Sequence, residues 1–174
     1  MNSPKLHNSI VSYLKKPIEN PLLISFSLKQ CVPTHSTYGT THLIKGDEID
    51  FSSNIRHFSN RMNQRVFGNS FRRFGKRLKM LFVIEGGTNG VRSHYHTVIQ
   101  TPPQFVGPFS LEKTENLVFD IWRNKTLWGY QKNDVQQPKK EKGDVEGWID
   151  YISKERTKRF DLNSSVDWLN TYLE

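Results

Sequence analysis

Two apolar segments on either side of a short glycine-rich stretch constrain the fold of this chain more than any other feature. Residues 78–85 read LKMLFVIE and residues 94–100 read HYHTVIQ, and both are short and rich in residues that favour β-strands. The GGTNG sequence of residues 86–90 supplies turn residues between them. The two segments therefore predict a β-hairpin.

The apolar periodicity on both sides of this hairpin predicts further elements. In chain order we expect a strand at 21–28, a helix at 51–66, the two hairpin strands, a helix at 110–122 and a strand at 126–132. Ser52 or Ser53 can cap the first of these helices. This order is that of a split βαβ unit. We therefore predict an α+β fold, ferredoxin-like or RRM-like, whose central antiparallel sheet carries helices mainly on one face and leaves the other free for a ligand.

The rest of the chain completes a single domain, as expected for 174 residues. We predict an N-terminal arm over residues 1–20 and one domain over residues 21–174. The further elements are a short helix at 9–15, a long loop at 31–49, an exposed loop at 135–143, a helix at 145–154 and a last helix at 164–173.

Composition excludes several classes of protein. The sequence has no apolar run long enough to cross a membrane and no signal-peptide pattern. Cys31 is the only cysteine, so a disulfide framework and a thiolate metal cluster are excluded. We expect a cytoplasmic protein with no membrane partner, or one in the host nucleus if it comes from a eukaryotic virus.

The excess of positive charge is concentrated in one part of the chain. The formal net charge is +8, and no carboxylate occurs between Phe51 and Ile84. A stretch of one sign, with phenylalanines among the cations, favours a nucleic-acid backbone, although a solvated helix face or a nuclear address would look the same. The predicted DNA-binding residues of this stretch are Arg56, Arg61, Arg65, Arg72, Arg73, Lys76, Arg77 and Lys79.

Two histidines of the second hairpin strand are the first candidate site residues. His94 and His96 are two positions apart, so a strand points both imidazoles to the same side. Glu85 ends the first hairpin strand, where it can lie beside them and add a carboxylate. Two histidines and one carboxylate suit Mn²⁺ or Mg²⁺ with open positions for substrate oxygens. A zinc site is less favoured, because no thiolate is available.

A candidate nucleophile lies near the end of the chain. Tyr151 and Lys154 are three residues apart, so on a helix they share a face while Trp148, Ile149 and Ile152 can face the core. A tyrosine hydroxyl attacks phosphate only if a metal polarises the phosphodiester and a cation such as Lys154 steadies the developing charge.

Three motifs resemble those of the HUH endonucleases, and among them the nuclease domains of one-tyrosine rolling-circle replication initiators. The SFSL sequence of residues 25–28 resembles the first motif, His94-Tyr95-His96 with Glu85 resembles the second, and Tyr151 with Lys154 resembles the third. The resemblance covers roughly residues 22–155. It implies a metal-dependent nickase whose tyrosine attacks single-stranded DNA, leaving a 5′-phosphotyrosine link and a free 3′-hydroxyl.

The order and details of the motifs narrow the resemblance. Tyr151 follows the histidines, unlike the tyrosine of relaxases, position 155 is Glu rather than a second tyrosine, and Lys154 stands where small transposases usually carry glutamine. An initiator is therefore favoured, acting on an origin hairpin. Because the sequence lacks a phosphate-binding Gly-x-x-x-x-Gly-Lys loop, we expect a separate helicase. A single-strand transposase acting on element ends, and a non-cleaving RRM-like nucleic-acid-binding module, remain alternatives.

Overall fold

A computed structural model describes residues 4–87, 90–136, 144–154 and 161–174. In chain order its elements are α1 (Pro4–Leu14), β1 (Pro21–Ser27), β2 (Cys31–His35), β3 (Thr41–Lys45), α2 (Glu48–Phe67), α3 (Asn69–Phe74), β4 (Met80–Glu85), β5 (His94–Gln100), α4 (Ser110–Lys125), β6 (Asp134–Gln136), α5 (Asp144–Ile152) and α6 (Leu162–Ser165).

The central sheet is antiparallel and has the strand order β4-β5-β1-β6. Strand β5 pairs with β1 along its whole length, and the predicted hairpin of β4 and β5 forms with Glu85 directly opposite His94. The two central strands are therefore β5 and β1, as the split βαβ order requires. The predicted α+β fold is confirmed.

One face of the sheet is covered by the two long helices, α2 and α4. Their apolar residues meet those of β1, β4 and β5 in a core rich in aromatic rings. Phe26 of β1 stacks on Trp122 of α4, with ring centroids 4.2 Å apart, and Phe58 of α2 contacts both rings edge-on. These side chains are fully buried, so this face supplies a large share of the hydrophobic stabilisation.

The other face of the sheet is not left free, contrary to expectation. Helices α1, α5 and α6 cover much of it, and they bury Ile10, Leu14 and Ile152 against Leu23 and Val83 of the sheet. The strands supply apolar residues to this face as well, so it must also be shielded from water. Only the end of the face that carries the two histidines opens as a cleft. The division into an arm at 1–20 and a domain at 21–174 stays a prediction.

Residues 31–45 form a hairpin where the sequence analysis expected a loop. Strands β2 and β3 pair antiparallel, and only Val32 of the ten paired residues is buried. Glycine, threonine and proline hid the alternation, because the ribbon has almost no buried face to impose one. Gly39, with φ of 79°, forms the turn that reverses the chain.

The start of α2 also differs from the prediction. Asp47 is the N-cap, and its carboxylate accepts a hydrogen bond from the Asp50 backbone N–H at 2.9 Å. The Asp50 side chain accepts in turn from the Asp47 N–H, which completes a capping box. Ser52 and Ser53 therefore lie inside the helix, which begins one turn earlier than apolar spacing alone suggested.

The last sheet strand and the C-terminal segment correct two further predictions. Residues 126–132 contribute only an isolated bridge, Gly129 to Leu28, and the paired strand is β6, within the predicted loop at 135–143. Of that loop, residues 137–143 lie outside the described residues. The predicted last helix at 164–173 is a short α6 followed by an extended tail, which bridges the edge of β4 through Val166 and Tyr172. The tail is extended because the open edge of β4 offers it backbone partners.

Candidate metal centre and catalytic cleft

Three side chains converge at the end of the β4–β5 hairpin. The Nε2 atoms of His94 and His96 lie 3.2 Å apart, and His96 Nε2 lies 2.9 Å from Glu85 Oε2. Their ligand atoms are all within 4.8 Å of one another. The period of a strand explains the histidine pair, and the register places Glu85 beside it. The predicted juxtaposition of Glu85, His94 and His96 is therefore confirmed, as a group that could hold a metal ion.

The second nitrogen of each imidazole is also engaged. His94 Nδ1 lies 2.9 Å from the Arg92 carbonyl oxygen, which can only accept, so this nitrogen donates. In a neutral ring His94 Nε2 then carries the free lone pair. His96 Nδ1 lies 3.0 Å from the Ser25 hydroxyl on the neighbouring strand β1. Such outer partners fix the orientation of histidine ligands.

The spacing of the donor atoms fits a divalent cation. Two ligands in adjacent positions of an octahedral ion, with bonds of about 2.1 Å, have donor atoms roughly 3.0 Å apart. The nitrogen–nitrogen distance of 3.2 Å and the nitrogen–oxygen distance of 2.9 Å are close to that value. The set leaves several coordination positions for water or substrate oxygens. The identity of the metal is not fixed by this geometry.

A glycine lets the chain turn immediately after Glu85. Gly86 has a φ of 85°, and a side chain at this position would collide with the Arg92 carbonyl group. That same carbonyl accepts the hydrogen bond from His94. The close approach of the two backbone segments thus fixes one histidine ring, and it requires the absence of a Cβ atom.

Tyr151 lies beside the histidines, on helix α5. Its ring centroid is 5.6 Å from that of His96, and the two ring planes are nearly perpendicular. Its side chain is 48% exposed, so the hydroxyl group is accessible from solvent. Lys154 has its Nζ atom 5.8 Å from the Tyr151 ring centroid. The structure therefore brings Tyr151 and Lys154 together with the metal-binding group.

Helix α5 is held against the sheet by an apolar face and one ion pair. Trp148, Ile149 and Ile152 are buried, as predicted, and the Trp148 ring lies between the core and Tyr151. Lys15 of α1 binds Asp150 with an Nζ–Oδ1 distance of 2.7 Å, and this hydrogen bond raises the pKa of Lys15. The residue next to Tyr151 is thus tied to a second helix.

A cleft of about 560 Å³ connects these groups and contains residues that sequence reasoning missed. Ser25, Arg92 and Lys132 line it together with both histidines and Tyr151. The Arg92 guanidinium lies over the Tyr130 ring, 5.9 Å from its centroid. Ser25 could have been found from the sequence, since it lies opposite His96 in the sheet. Nothing in the local sequence marks Lys132, because a loop brings it to the cleft.

Behind the histidines, the opposite side of β5 is fixed by a buried polar network. Tyr95 is almost fully buried, and burial raises its pKa, so its hydroxyl stays protonated. It donates to Asp167, whose own pKa is raised by burial although hydrogen bonds from Asn170 and Ser52 favour the charged form. This network connects β5, α2 and the C-terminal tail, and it restrains the strand that carries both histidines.

The predicted DNA-binding residues lie elsewhere. Those of α2 and α3 are exposed on the helix-covered face of the sheet, and the others precede β4. Strand β4 runs from Met80 at that end to Glu85 at the site, a separation of roughly 17 Å along the strand. The structure therefore does not place this basic stretch beside the metal-binding group. Its role in binding DNA stays a prediction.

The fold and the site together define a class of protein. An antiparallel α+β sheet holding a histidine-hydrophobic-histidine pair with a carboxylate has the arrangement of an HUH motif. The family model described as replication-associated protein, of the ORF2 type, matches residues 36–159, more than two thirds of the chain. The protein belongs to this family. No curated protein and no solved structure matches the chain significantly.

Family membership assigns the protein to replication and implies that it binds DNA. The matched residues include the metal-binding group and Tyr151 but begin after β1, so the predicted first motif at residues 25–28 lies outside them. Within the described ranges, no helix combines the length and apolar character needed to cross a bilayer.

Proposed function

We propose that the protein is a metal-dependent single-stranded DNA nickase and strand-transferase that initiates rolling-circle replication. The observation that carries this proposal is the position of Tyr151, 5.6 Å between ring centroids from a histidine of the metal-binding group and accessible from the same cleft. A structural histidine pair would not need an exposed tyrosine beside it.

Glu85, His94 and His96 would hold Mn²⁺ or Mg²⁺ through one carboxylate oxygen and two Nε2 atoms. A bound divalent ion would polarise the scissile phosphodiester and offset its negative charge. Both metals accept this mixture of nitrogen and oxygen donors. Ser25 and the Arg92 carbonyl would keep the two imidazoles in the tautomer that presents Nε2.

Tyr151 would act as the nucleophile. Its hydroxyl oxygen forms a bond to phosphorus as the bond between phosphorus and the 3′ oxygen breaks, so the 5′ fragment leaves with a 3′-hydroxyl. The tyrosine loses its proton in this step, and the departing 3′ oxygen gains one. Lys154 would stabilise the negative charge that develops on the phosphoryl oxygens. Attack by a 3′-hydroxyl on the phosphotyrosine reverses the step and transfers a strand.

The substrate would be single-stranded DNA, such as the loop of an origin hairpin. The cleft is open to solvent, and Arg92 and Lys132 give its wall two cations for backbone phosphates. Tyr130 adds an aromatic surface on which a base can stack. Unwinding would be supplied by a separate helicase. Membership of a replication-associated family favours an initiator over a transposase.

A covalent-adduct assay tests the proposal. The protein is incubated with a pool of labelled single-stranded DNA in Mn²⁺ and analysed on denaturing gels. We expect a slowly migrating band that resists denaturant, requires metal and is lost in Tyr151→Phe and in the double variant His94→Ala/His96→Ala.

Tyr130→Phe is the informative control, because Tyr130 is a second tyrosine in the same cleft. An adduct that persists in Tyr151→Phe but disappears in Tyr130→Phe would show that the nucleophile is wrongly assigned. DNA binding that survives a chelator, with no adduct or cleavage on any oligonucleotide including the element's own origin, would favour a non-cleaving binding module.

A further inference from the structure

A group of exposed cations lies at the end of the sheet opposite the cleft. The distal basic surface consists of the exposed cations on the second half of α2, on α3 and in the loop that follows α3. Its members are Arg61, Arg65, Arg72, Arg73, Lys76 and Arg77. Among the described residues, no carboxylate lies within salt-bridge distance of any of the six.

The backbone beneath this surface is firmly held. Leu78 is buried, and its N–H donates to the Asn63 side chain at 2.7 Å, while Asn63 in turn donates to the Ser59 carbonyl of α2. The Lys79 N–H donates to the Gln100 side chain of β5. The cations therefore project from an ordered platform, so little backbone entropy is lost when they bind a partner.

The composition of the surface favours a duplex backbone over a single strand. Single-strand sites combine cations with several exposed rings for stacking, whereas a duplex presents mainly phosphates to the protein. Here Phe74 is the large exposed ring, at 74%, and Phe71 lies under the Arg77 guanidinium, 5.2 Å from its centroid. Six guanidinium or ammonium groups with one free ring suit phosphates.

The position of the surface separates it from the nuclease cleft. Helix α2 packs on the face of the sheet that bears Phe82, whereas the cleft lies on the face of Val83 and Glu85. Along β4 the two sites are roughly 17 Å apart, which corresponds to about five base pairs at 3.4 Å each. One DNA molecule can therefore reach both sites only if it extends several base pairs from the cleavage position.

We propose that the distal basic surface is a second DNA site, which binds the phosphate backbone of duplex DNA flanking the strand held in the cleft. Its contribution is independent of sequence and falls with salt, since each phosphate contact releases condensed counterions. The proposal rests on the DNA-binding function of the family, but it does not require that the cleft cleaves DNA.

A binding assay with a matched pair of variants tests this proposal. The probe is a fluorescein-labelled 25-base-pair duplex of mixed sequence, and anisotropy is measured between 50 and 200 mM NaCl. The test variant is Arg72→Gln/Arg73→Gln, and the control is Arg123→Gln/Lys125→Gln, which removes two exposed cations from α4. Both variants lower the formal net charge by the same amount, so a general charge effect is equal in the two.

We expect the test variant to reduce the slope of log affinity against log salt by about 1.8, which is 0.9 for each lost contact. At 0.1 M salt this corresponds to a loss of affinity on the order of 50-fold. The control should stay close to wild type. Arg61→Gln/Arg65→Gln on α2 should repeat the loss, so the test survives if α3 is perturbed by its own substitutions. Equal weakening in test and control, or no change in either test variant, would overturn the proposal.

The outcome is distinguishable from that of the proposed nickase. Adduct formation on single-stranded DNA should persist in Arg72→Gln/Arg73→Gln, because neither residue touches the cleft. Loss of duplex binding without any adduct in the wild type would support the second site and contradict the nickase. An adduct in a protein whose duplex binding ignores both test variants would do the reverse.

Discussion

Removal of the Ser25 hydroxyl should weaken metal binding without touching a metal ligand. Ser25 lies on β1 directly opposite His96, and its Oγ atom is 3.0 Å from His96 Nδ1. If Nε2 is to bind a cation, Nδ1 must carry the proton and donate it to this hydroxyl. Ser25→Ala removes the acceptor and lets the ring rotate or change tautomer.

The size of the effect follows from the role of outer hydrogen bonds in metal sites. Loss of such a partner typically reduces metal affinity 10- to 100-fold, or about 1.4 to 2.8 kcal/mol. His96 is buried and its Nε2 lies 2.9 Å from Glu85, so the ring contributes to the site only in its present orientation. We expect the dissociation constant for Mn²⁺ to rise within this range.

Ser27 provides a matched control. It lies two residues further along β1, opposite His94, and lines the same cleft. Among the described residues its hydroxyl makes no hydrogen bond to either histidine. Free Mn²⁺ is quantified by electron paramagnetic resonance during titration of the wild type, Ser25→Ala and Ser27→Ala. A loss of affinity that is the same in both variants, or absent from Ser25→Ala, would refute the reasoning.

Three further predictions concern stability. Asp47→Ala should cost about 1 kcal/mol in urea unfolding by removing the cap of α2, whereas Ser53→Ala should cost almost nothing, and the reverse result would restore the serine cap. Phe58→Ala should cost about 3–5 kcal/mol, because the ring fills the core between Phe26 and Trp122, and a loss below about 1 kcal/mol would contradict that packing. For Asp167, the folded-state pKa is raised above 3.8, so the folded state binds the proton more tightly than the unfolded state. Relative to Asp167→Asn, the wild type should therefore gain stability as the pH falls from about 7 through the raised pKa toward 3.8, and melting temperatures at several pH values that show no such trend would contradict this.

The sequence by itself determined the parts of the fold that have strong local signals. The β4–β5 hairpin follows from two apolar runs around turn residues, and α2 and α4 follow from the spacing of their apolar side chains. The metal-binding group was also accessible from sequence. Two histidines in alternate positions of a strand share a face, and a hairpin of this length places Glu85 opposite them.

Tertiary structure decided the elements whose pattern depends on partners far along the chain. The ribbon of β2 and β3 has almost no buried face, so its sequence shows no alternation. The C-terminal tail is extended because the edge of β4 offers it backbone partners at Met80 and Val83. The strand after α4 forms at β6 instead of residues 126–132 because β1 pairs with it there.

Tertiary structure also decided how charge is distributed around the site. The basic stretch is continuous in sequence with the apolar strand that ends at Glu85, which suggested that both belong to one surface. In the folded chain β4 is a rod about 17 Å long, so residues at its two ends cannot meet. The cations of the cleft are instead Arg92 and Lys132, which come from two loops. Charge in a sequence thus predicts a class of partner, while the paths of strands and loops determine which phosphates each cation can reach.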